Sequence, residues 1–356
     1  MKRRVGLIIG VVKKLAFPIG DRTIGDSSLL IQSMSDTVTK DVGHNIELTN
    51  DLAKQGMDLM RFSVLDEEDA NALSLIKKDV DVPIIADIHY DLNLALLALD
   101  NGVDKLRLNP GNITDGPLMN QVILKAKEKN VPIRIGVNAG SLNRYRGKGR
   151  DECEDFFLAL EDILSVFREN GYDRIVLSLK TSDPVLTEKL YREAYERYPY
   201  PLHVGLTEAG IGIDSAVKST LALSGLLKDG IGDTLRISMA EERKNEMRAC
   251  KTLLKSLGIR KIVPELIVCP TCGRTKVDVK PLANEVKDIL DYVHKDVKVA
   301  VMGCPVNGIG EAKDADIGIA GSGEEDLYVL FKHGRVMKKC GRETALDELK
   351  RFIENF

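Results

Sequence analysis

Short apolar runs alternate with longer amphipathic stretches along most of this chain. Runs rich in Val, Ile and Leu occupy 29–34, 58–64, 82–88, 103–109, 131–137, 174–179, 202–207 and 233–238, eight in all. Continuous runs of this kind suit parallel strands buried on both faces. The stretches between them carry helix signals. Asp66 is placed to cap a helix whose Ala70, Leu73 and Ile76 share a face. Asp183 followed by Pro184 is a cap and a first-turn proline, and Leu186, Leu190, Ala194 and Tyr198 then recur every fourth residue. Gly56, Gly102 and Gly171 fall just after helical patterns, where a left-handed residue ends a helix. Eight β–α units in about 240 residues predict a (β/α)₈ barrel. A doubly wound open sheet is the alternative, disfavoured because no G-x-G-x-x-G turn follows the first strand.

The rhythm changes after residue 258. Residues 266–268 read as a strand entering a Cys-x-x-Cys turn, 281–294 as a helix, and 297–302 as a strand ending at Gly303-Cys304. Further strands are expected at 317–320 and 327–331, with a turn at His333-Gly334-Arg335 and a closing helix marked by Leu346, Leu349 and Ile353. The expected organisation is therefore a TIM-type barrel over 1–258 and a compact α+β module over 259–356.

Composition narrows the function. Of 356 residues, 44% are hydrophobic and 29% charged, the balance of a globular protein. The net charge of −3 gives no global attraction to nucleic acid or anionic membrane, so any anion site must be built locally. The apolar run 5–12 follows Lys2, Arg3 and Arg4, but Lys13 and Lys14 end it and no cleavage pattern follows, so it is not read as a signal peptide. No stretch reaches the ~20 apolar residues of a membrane span. Six cysteines are too few for a disulfide framework in a chain of this length, and the expected setting is a reducing cytoplasm.

In such barrels chemistry sits at the C-terminal ends of the strands. Those ends carry Gln32 and Ser33, Arg61, Asp87 and His89, Arg107 and Asn109, Arg134 and Asn138, Lys180, Thr207 and Glu208, and Arg236 and Ser238. Four arginines and a lysine crowded together repel one another unless they share an anion, and the guanidinium fork matches phosphate oxygens in pairs. Ordinary ion pairs with Asp87 and Glu208 are the plainer reading, His89 then being a simple rim residue, and Lys180 alone would also suit a Schiff-base aldolase.

The second chemical feature is Cys269-Pro-Thr-Cys272-Gly-Arg followed by Gly303-Cys304-Pro-Val-Asn-Gly-Ile-Gly-Glu311. Two thiolates two residues apart face one metal centre, as both zinc and iron–sulfur sites require. A zinc knuckle would need Cys340 or His333 as fourth ligand. Gly303, Gly308 and Gly310 favour a cluster instead, since they let backbone approach its sulfides. Three cysteines leave one iron of a four-iron cluster for an oxygen ligand such as Glu311. Cys153, Cys250 and Cys340 read as packing residues.

These segments resemble the 4-hydroxy-3-methylbut-2-enyl diphosphate synthases of the non-mevalonate isoprenoid pathway, in the bacterial form without a middle insertion. The resemblance rests on Ile31-Gln-Ser-Met34, Ala86-Asp-Ile-His89, Val103-Asp-Lys-Leu-Arg-Leu-Asn-Pro-Gly-Asn112, Pro132-Ile-Arg-Ile-Gly-Val-Asn-Ala-Gly-Ser141, Leu177-Ser-Leu-Lys180, Leu202-His-Val-Gly-Leu-Thr-Glu-Ala-Gly210, Gly230-Ile-Gly-Asp-Thr-Leu-Arg-Ile-Ser238 and both cysteine segments, in order from about residue 24 to 323. It implies reductive opening and dehydration of 2-C-methyl-D-erythritol 2,4-cyclodiphosphate, with two electrons passed through one 4Fe–4S cluster from reduced ferredoxin or flavodoxin. The family's cluster ligands fall on Cys269, Cys272, Cys304 and Glu311. Its diphosphate contacts fall on Arg61, Arg107, Asn109, Arg134, Asn138, Lys180, Arg236 and Ser238, to which His89 is added as a rim contact, and its proton-donating carboxylate falls on Glu208. It also implies a homodimer in which one chain's cluster domain closes its partner's barrel. Two departures stand out: Pro305 and Ile309 replace the family's usual Val-like residue and Pro, which puts the shape of the loop after Cys304 in question. Residues 1–23 match the family poorly.

Overall fold

The computed structural model describes residues 13–108, 116–138, 142, 145–149, 151–324 and 327–356. The chain divides into two compact units between Cys250 and Lys251.

The first unit is a barrel. Its parallel strands are β3 (Leu30–Met34), β4 (Leu59–Val64), β5 (Ile84–Ile88), β6 (Lys105–Leu108), β7 (Ile133–Asn138), β8 (Ile175–Lys180), β9 (His203–Val204) and β10 (Thr234–Leu235), in ring order β8-β7-β6-β5-β4-β3-β10-β9. A parallel bridge between Leu177 and Leu202 brings β8 beside the segment entering β9 and closes the ring. Followed once round, the register returns to β3 displaced by eight residues, the stagger a barrel of this type requires. The open-sheet alternative is therefore excluded. All eight predicted strands exist. Those expected over 202–207 and 233–238 pair for only two residues each, because at Gly205, with φ +155°, the chain leaves the ladder.

Helix ends follow local chemistry. The Asp66 carboxylate accepts from Asp69 N at the start of α2 (Glu67–Lys78), and Asp183 accepts from Val185 N and Leu186 N ahead of α6 (Pro184–Arg197). Gly56, Gly102 and Gly171 all take positive φ, as their positions after helices predict.

One element was not foreseen. A hairpin of β1 (Phe17–Ile19) and β2 (Arg22–Ile24) turns at Gly20-Asp21, and its Phe17, Ile19 and Ile24 pack on Leu30, Leu59, Ile85 and Val176. Those four residues lie at or near the strands' N-terminal ends, so the hairpin stoppers the barrel floor.

Above that floor the register sorts inward-facing side chains into tiers drawn from alternate strands. Leu59, Lys105, Val176 and Thr234 form one tier; Gln32, Ile85, Arg134 and His203 the next; then Arg61, Arg107, Ser178 and Arg236; then Met34, Asp87, Gly136 and Gly205. Branched apolar residues usually fill such tiers. Here polar and cationic ones take most places.

The second unit is built on a five-stranded sheet in order β11 (Glu265–Val268), β12 (Lys298–Met302), β13 (Ile317–Gly321), β14 (Leu327–Lys332) and β15 (Arg335–Gly341). The first three strands run parallel and the last two antiparallel. Helices α9 (Val279–Leu290) and α11 (Arg342–Asn355) bury Leu282, Val286, Leu349 and Ile353 against it. The helix expected over 281–294 thus begins and ends earlier. The turn at His333-Gly334 continues into an exposed edge strand, β15, that the apolar pattern did not reveal.

Candidate active site

Strand pleating points alternate residues into the barrel. It thereby delivers Arg61 from β4, Arg107 from β6, Arg134 from β7, Lys180 from β8 and Arg236 from just beyond β10 to one pocket, lined also by Gly136, Ser178, Thr207 and Ser238. Five of the predicted binding side chains are thus together, with Ser238 beside them. Asn109 lies outside the described residues, as does the side chain of Asn138.

A buried carboxylate, Asp87, stands beside these cations in the upper tier. Asp87 sits 2.9 Å from Arg107 Nη1, 3.4 Å from Arg61 Nε and 3.4 Å from His89 Nε2. Burial alone would raise its pKa, but Arg61, His89 and Arg107 outweigh that and hold it well below the usual carboxylate range. The ion-pair reading thus holds for Arg61 and Arg107 with Asp87, and the His89 ring lies within reach of the same carboxylate. Glu208 pairs with no cation among the described residues; it is exposed with φ +53°, left-handed backbone that a non-glycine residue adopts at a cost.

A second carboxylate was missed. Glu246, on α8 (Arg243–Ser256), accepts from Arg236 Nη2 at 3.0 Å, Arg243 Nη1 at 2.7 Å and Met239 N at 3.3 Å. A search of strand ends cannot find a residue on a helix. Met34 was quoted only within a motif, yet its thioether, a weak acceptor, lies 3.3 Å from Arg61 Nε and 3.6 Å from Arg236 Nη1.

Among the described residues, Arg134 and Lys180 pair with no carboxylate. Arg134 is buried, and its Nε and Nη1 have no hydrogen-bond partner among the described residues. Arg107 Nε is likewise unpaired there. Burial and the neighbouring guanidinium groups push Lys180 well below its ordinary pKa, and burial with Arg236 and Arg107 takes Arg61 down to about 10. Gly205 makes this crowding possible. A Cβ there would meet the Arg236 carbonyl and stand 2.7 Å from Lys180 Nζ. Buried donors of one sign, unsatisfied among the described residues, are the chemistry that suits a multiply charged anion.

In the second unit, parallel β11 and β12 end side by side, so Cys269 follows one and Gly303-Cys304 the other. Gly303 lets the Cys-x-x-Cys turn close in: a Cβ there would fall 2.8 Å from Thr275. Beyond Cys304 the chain forms α10 (Pro305–Glu311) rather than a loop. Pro305 takes the first helical position, where its missing N–H costs nothing. Glu311 closes the helix. Arg274 interacts electrostatically with Cys272, Cys304 and Glu311 alike, and its N–H and guanidinium hold the Cys272 thiol below its usual range. Among the described residues no three His, Cys, Asp or Glu side chains close tightly enough to chelate a single ion. Three thiols and a carboxylate, of which Cys272, Cys304 and Glu311 lie within the electrostatic reach of Arg274, supply the donor types that an iron–sulfur cluster takes.

Fold and site together define a (β/α)₈-barrel protein with a polyanion receptor at its mouth and a thiol-bearing α/β module. The profile of the GcpE TIM-barrel domain matches residues 15–251 and that of the GcpE protein C-terminal domain residues 265–355, so the chain belongs to the GcpE family. A 4-hydroxy-3-methylbut-2-en-1-yl diphosphate synthase (flavodoxin) of Caldanaerobacter subterraneus subsp. tengcongensis is 44% identical, over 94% of this chain and 95% of that protein. One of the same name from Ruminiclostridium cellulolyticum is 43% identical over 93% and 94%. A crystal structure of Plasmodium falciparum HPPK-DHPS with pterin and p-hydroxybenzoate superposes with TM-score 0.50 at 17% identity, over 69% of this chain and 48% of that one, a likeness of fold alone.

Proposed function

We propose that this protein is a 4-hydroxy-3-methylbut-2-en-1-yl diphosphate synthase, converting 2-C-methyl-D-erythritol 2,4-cyclodiphosphate to the linear allylic diphosphate and water with two electrons and two protons. The observation that carries this reading is the buried receptor of Arg61, Arg107, Arg134, Arg236 and Lys180, with more positive charge than its two carboxylates offset. The substrate's two phosphates supply the missing anions. His89, Asn109, Asn138 and Ser238 complete the ligand's polar contacts at the strand ends.

Cys269, Cys272, Cys304 and Glu311 would hold a 4Fe–4S cluster, which when bound supplies the electrons one at a time and an open iron as Lewis acid. The arginines fix the diphosphate throughout ring opening and stabilise the charge released there. Glu208, at the mouth and in solvent contact, donates a proton to the departing oxygen.

The electron donor is reduced flavodoxin, the protein in the relatives' names, or ferredoxin. We assign a homodimer in which the small domain of one chain covers its partner's barrel. An exposed apolar stripe of Ile213, Val217 and Leu221 along α7 (Gly212–Lys228) supports self-association. None of the six cysteines is joined in a disulfide, which supports a reducing, cytoplasmic setting, and no described helix is long and apolar enough to cross a membrane.

The competing Schiff-base lyase with a structural zinc is not favoured, since the relatives bear the synthase name and match this chain over 94–95% of their own length. The deciding experiment is anaerobic iron and sulfide analysis followed by turnover of the cyclic diphosphate. Brown protein that reduces it is expected; colourless protein with stoichiometric zinc, or borohydride trapping on Lys180, refutes the assignment. Glu208→Gln should keep substrate affinity and lose most turnover.

A further inference from the structure

Lys105 is not used by the reaction above. The register puts it in the lowest tier with Leu59, Val176 and Thr234, beneath the pocket, and it is not among the pocket's lining residues. It is 0% exposed, and its Nζ has no hydrogen-bond partner among the described residues.

The charges facing this interior come from nearly every strand. Arg61 faces it from β4, Asp87 from β5, Arg107 from β6 itself, Arg134 from β7, Lys180 from β8, His203 from β9 and Arg236 from beyond β10, while Glu246 reaches in from α8. β3 contributes the uncharged Gln32 and Met34. The two carboxylates are already held by Arg61, Arg107, Arg236 and Arg243. An ammonium at Lys105 would be desolvated, unpaired and repelled by Arg134 and Arg61 just above. Guanidinium groups cannot shed a proton to relieve such crowding; a lysine can.

We propose that Lys105 is a proton acceptor coupled to anion binding: uncharged in the empty barrel, it takes up one proton from bulk water when a diphosphate settles on the arginines above it. The bound anion reverses the local potential, and the new ammonium then holds it from below. Burial, then Arg134 and Arg61, already push Lys105 well below the ordinary lysine range. His203 is buried beside it, with Nδ1 2.7 Å from Thr234 Oγ1 and Nε2 unpartnered among the described residues. Burial, then Lys180, Arg134 and Lys105 itself, push His203 well below its ordinary range too, and the Lys105 variants below separate its proton from that of Lys105. Lys180 touches the ligand directly and is counted separately. Lys105 is a positioning residue here, acting through Arg134 and Arg61.

The inference rests on the proposed substrate only for the identity of the anion. The test is calorimetric titration of the holoenzyme in buffers of different ionisation enthalpy, with the cyclic diphosphate and, separately, with sulfate. Neither anion carries a titrating proton near neutral pH. The wild type should take up close to one proton more per anion than Lys105→Met. Its affinity should fall more steeply with pH, by up to about tenfold per unit, until the two proteins converge at high pH. Equal proton counts and parallel pH profiles overturn the proposal. Lys105→Gln gives the same readouts if the Met variant does not fold. In [¹³C]lysine-labelled wild type, the Lys105 Cε resonance should move from its neutral to its charged position on saturation, and a fixed resonance also refutes the idea. If the cyclic diphosphate fails to bind while sulfate draws a Lys105-dependent proton, the functional reading falls and this one stands. If the diphosphate binds with no such proton, the reverse holds.

Discussion

Asp87 shows how one residue governs this site. Its carboxylate holds Arg61 and Arg107 in place and cancels part of their repulsion. Asp87→Asn leaves both buried cations unpaired and should cost about 3–5 kcal/mol at pH 7. The folded-state pKa is depressed, so this stabilisation is complete above the unfolded value near 4 and is lost as pH falls below it. Urea unfolding at pH 7 and below pH 4 checks both points, since the gap between wild type and variant must shrink with acid. Gly205→Ala meets a backbone carbonyl and the Lys180 amine at once, in a conformation strained for any side chain. We expect a loss of roughly 2 kcal/mol or more and at least a tenfold weaker anion affinity, read by thermal unfolding and sulfate titration. The strand-end residues were legible in the sequence because pleating and barrel geometry fix where they go. Glu246 and Lys105 were not, since nothing local tells that one helix turns a carboxylate inward or that one strand starts with a buried amine.

At the level of elements, caps and glycine stops read correctly because they are local hydrogen-bond and steric effects. The floor hairpin escaped notice because three-residue strands carry almost no periodicity. It matters nonetheless. Leu15 N donates to Pro199 O at 2.8 Å, and Lys14 Nζ donates to Tyr198 O at 2.8 Å and sits 3.8 Å from the Tyr195 ring centre, fastening the hairpin to the barrel. Ile19→Asp places a charge in that buried floor and should destabilise by about 3–5 kcal/mol in chemical denaturation. Pro305→Ala should be nearly silent, within about 0.5 kcal/mol and without change in iron content, because the first position of α10 needs no N–H donor. Pro305 put the shape of the segment after Cys304 in question, and that segment is a helix with the proline at its start. Proline is awkward inside a loop that must donate, but apt at a helix start.

On the scale of the whole molecule, an overall charge of −3 conceals a strongly positive interior in the barrel. Such a protein stores unfavourable electrostatic energy that an anion relieves. Sulfate or inorganic pyrophosphate should therefore raise the melting temperature well beyond sodium chloride of equal ionic strength. At a hundred times the dissociation constant the gain is about 2.7 kcal/mol. A stabilisation no greater than that of chloride would deny the anion receptor.

The alternation of apolar runs and amphipathic helices determined the barrel and the change of architecture after it, because parallel strands and surface helices leave distinct hydrophobic periods. Residue type and strand position likewise pointed to the gathering of cations in one pocket and to the thiol-bearing second unit. Tertiary structure alone decided which charges neutralise one another. That depends on register round a closed ring, on Gly205 admitting Lys180, and on Glu246 arriving from a distant helix. Electrostatic energy varies with separation and burial, and neither is encoded in any short stretch of chain.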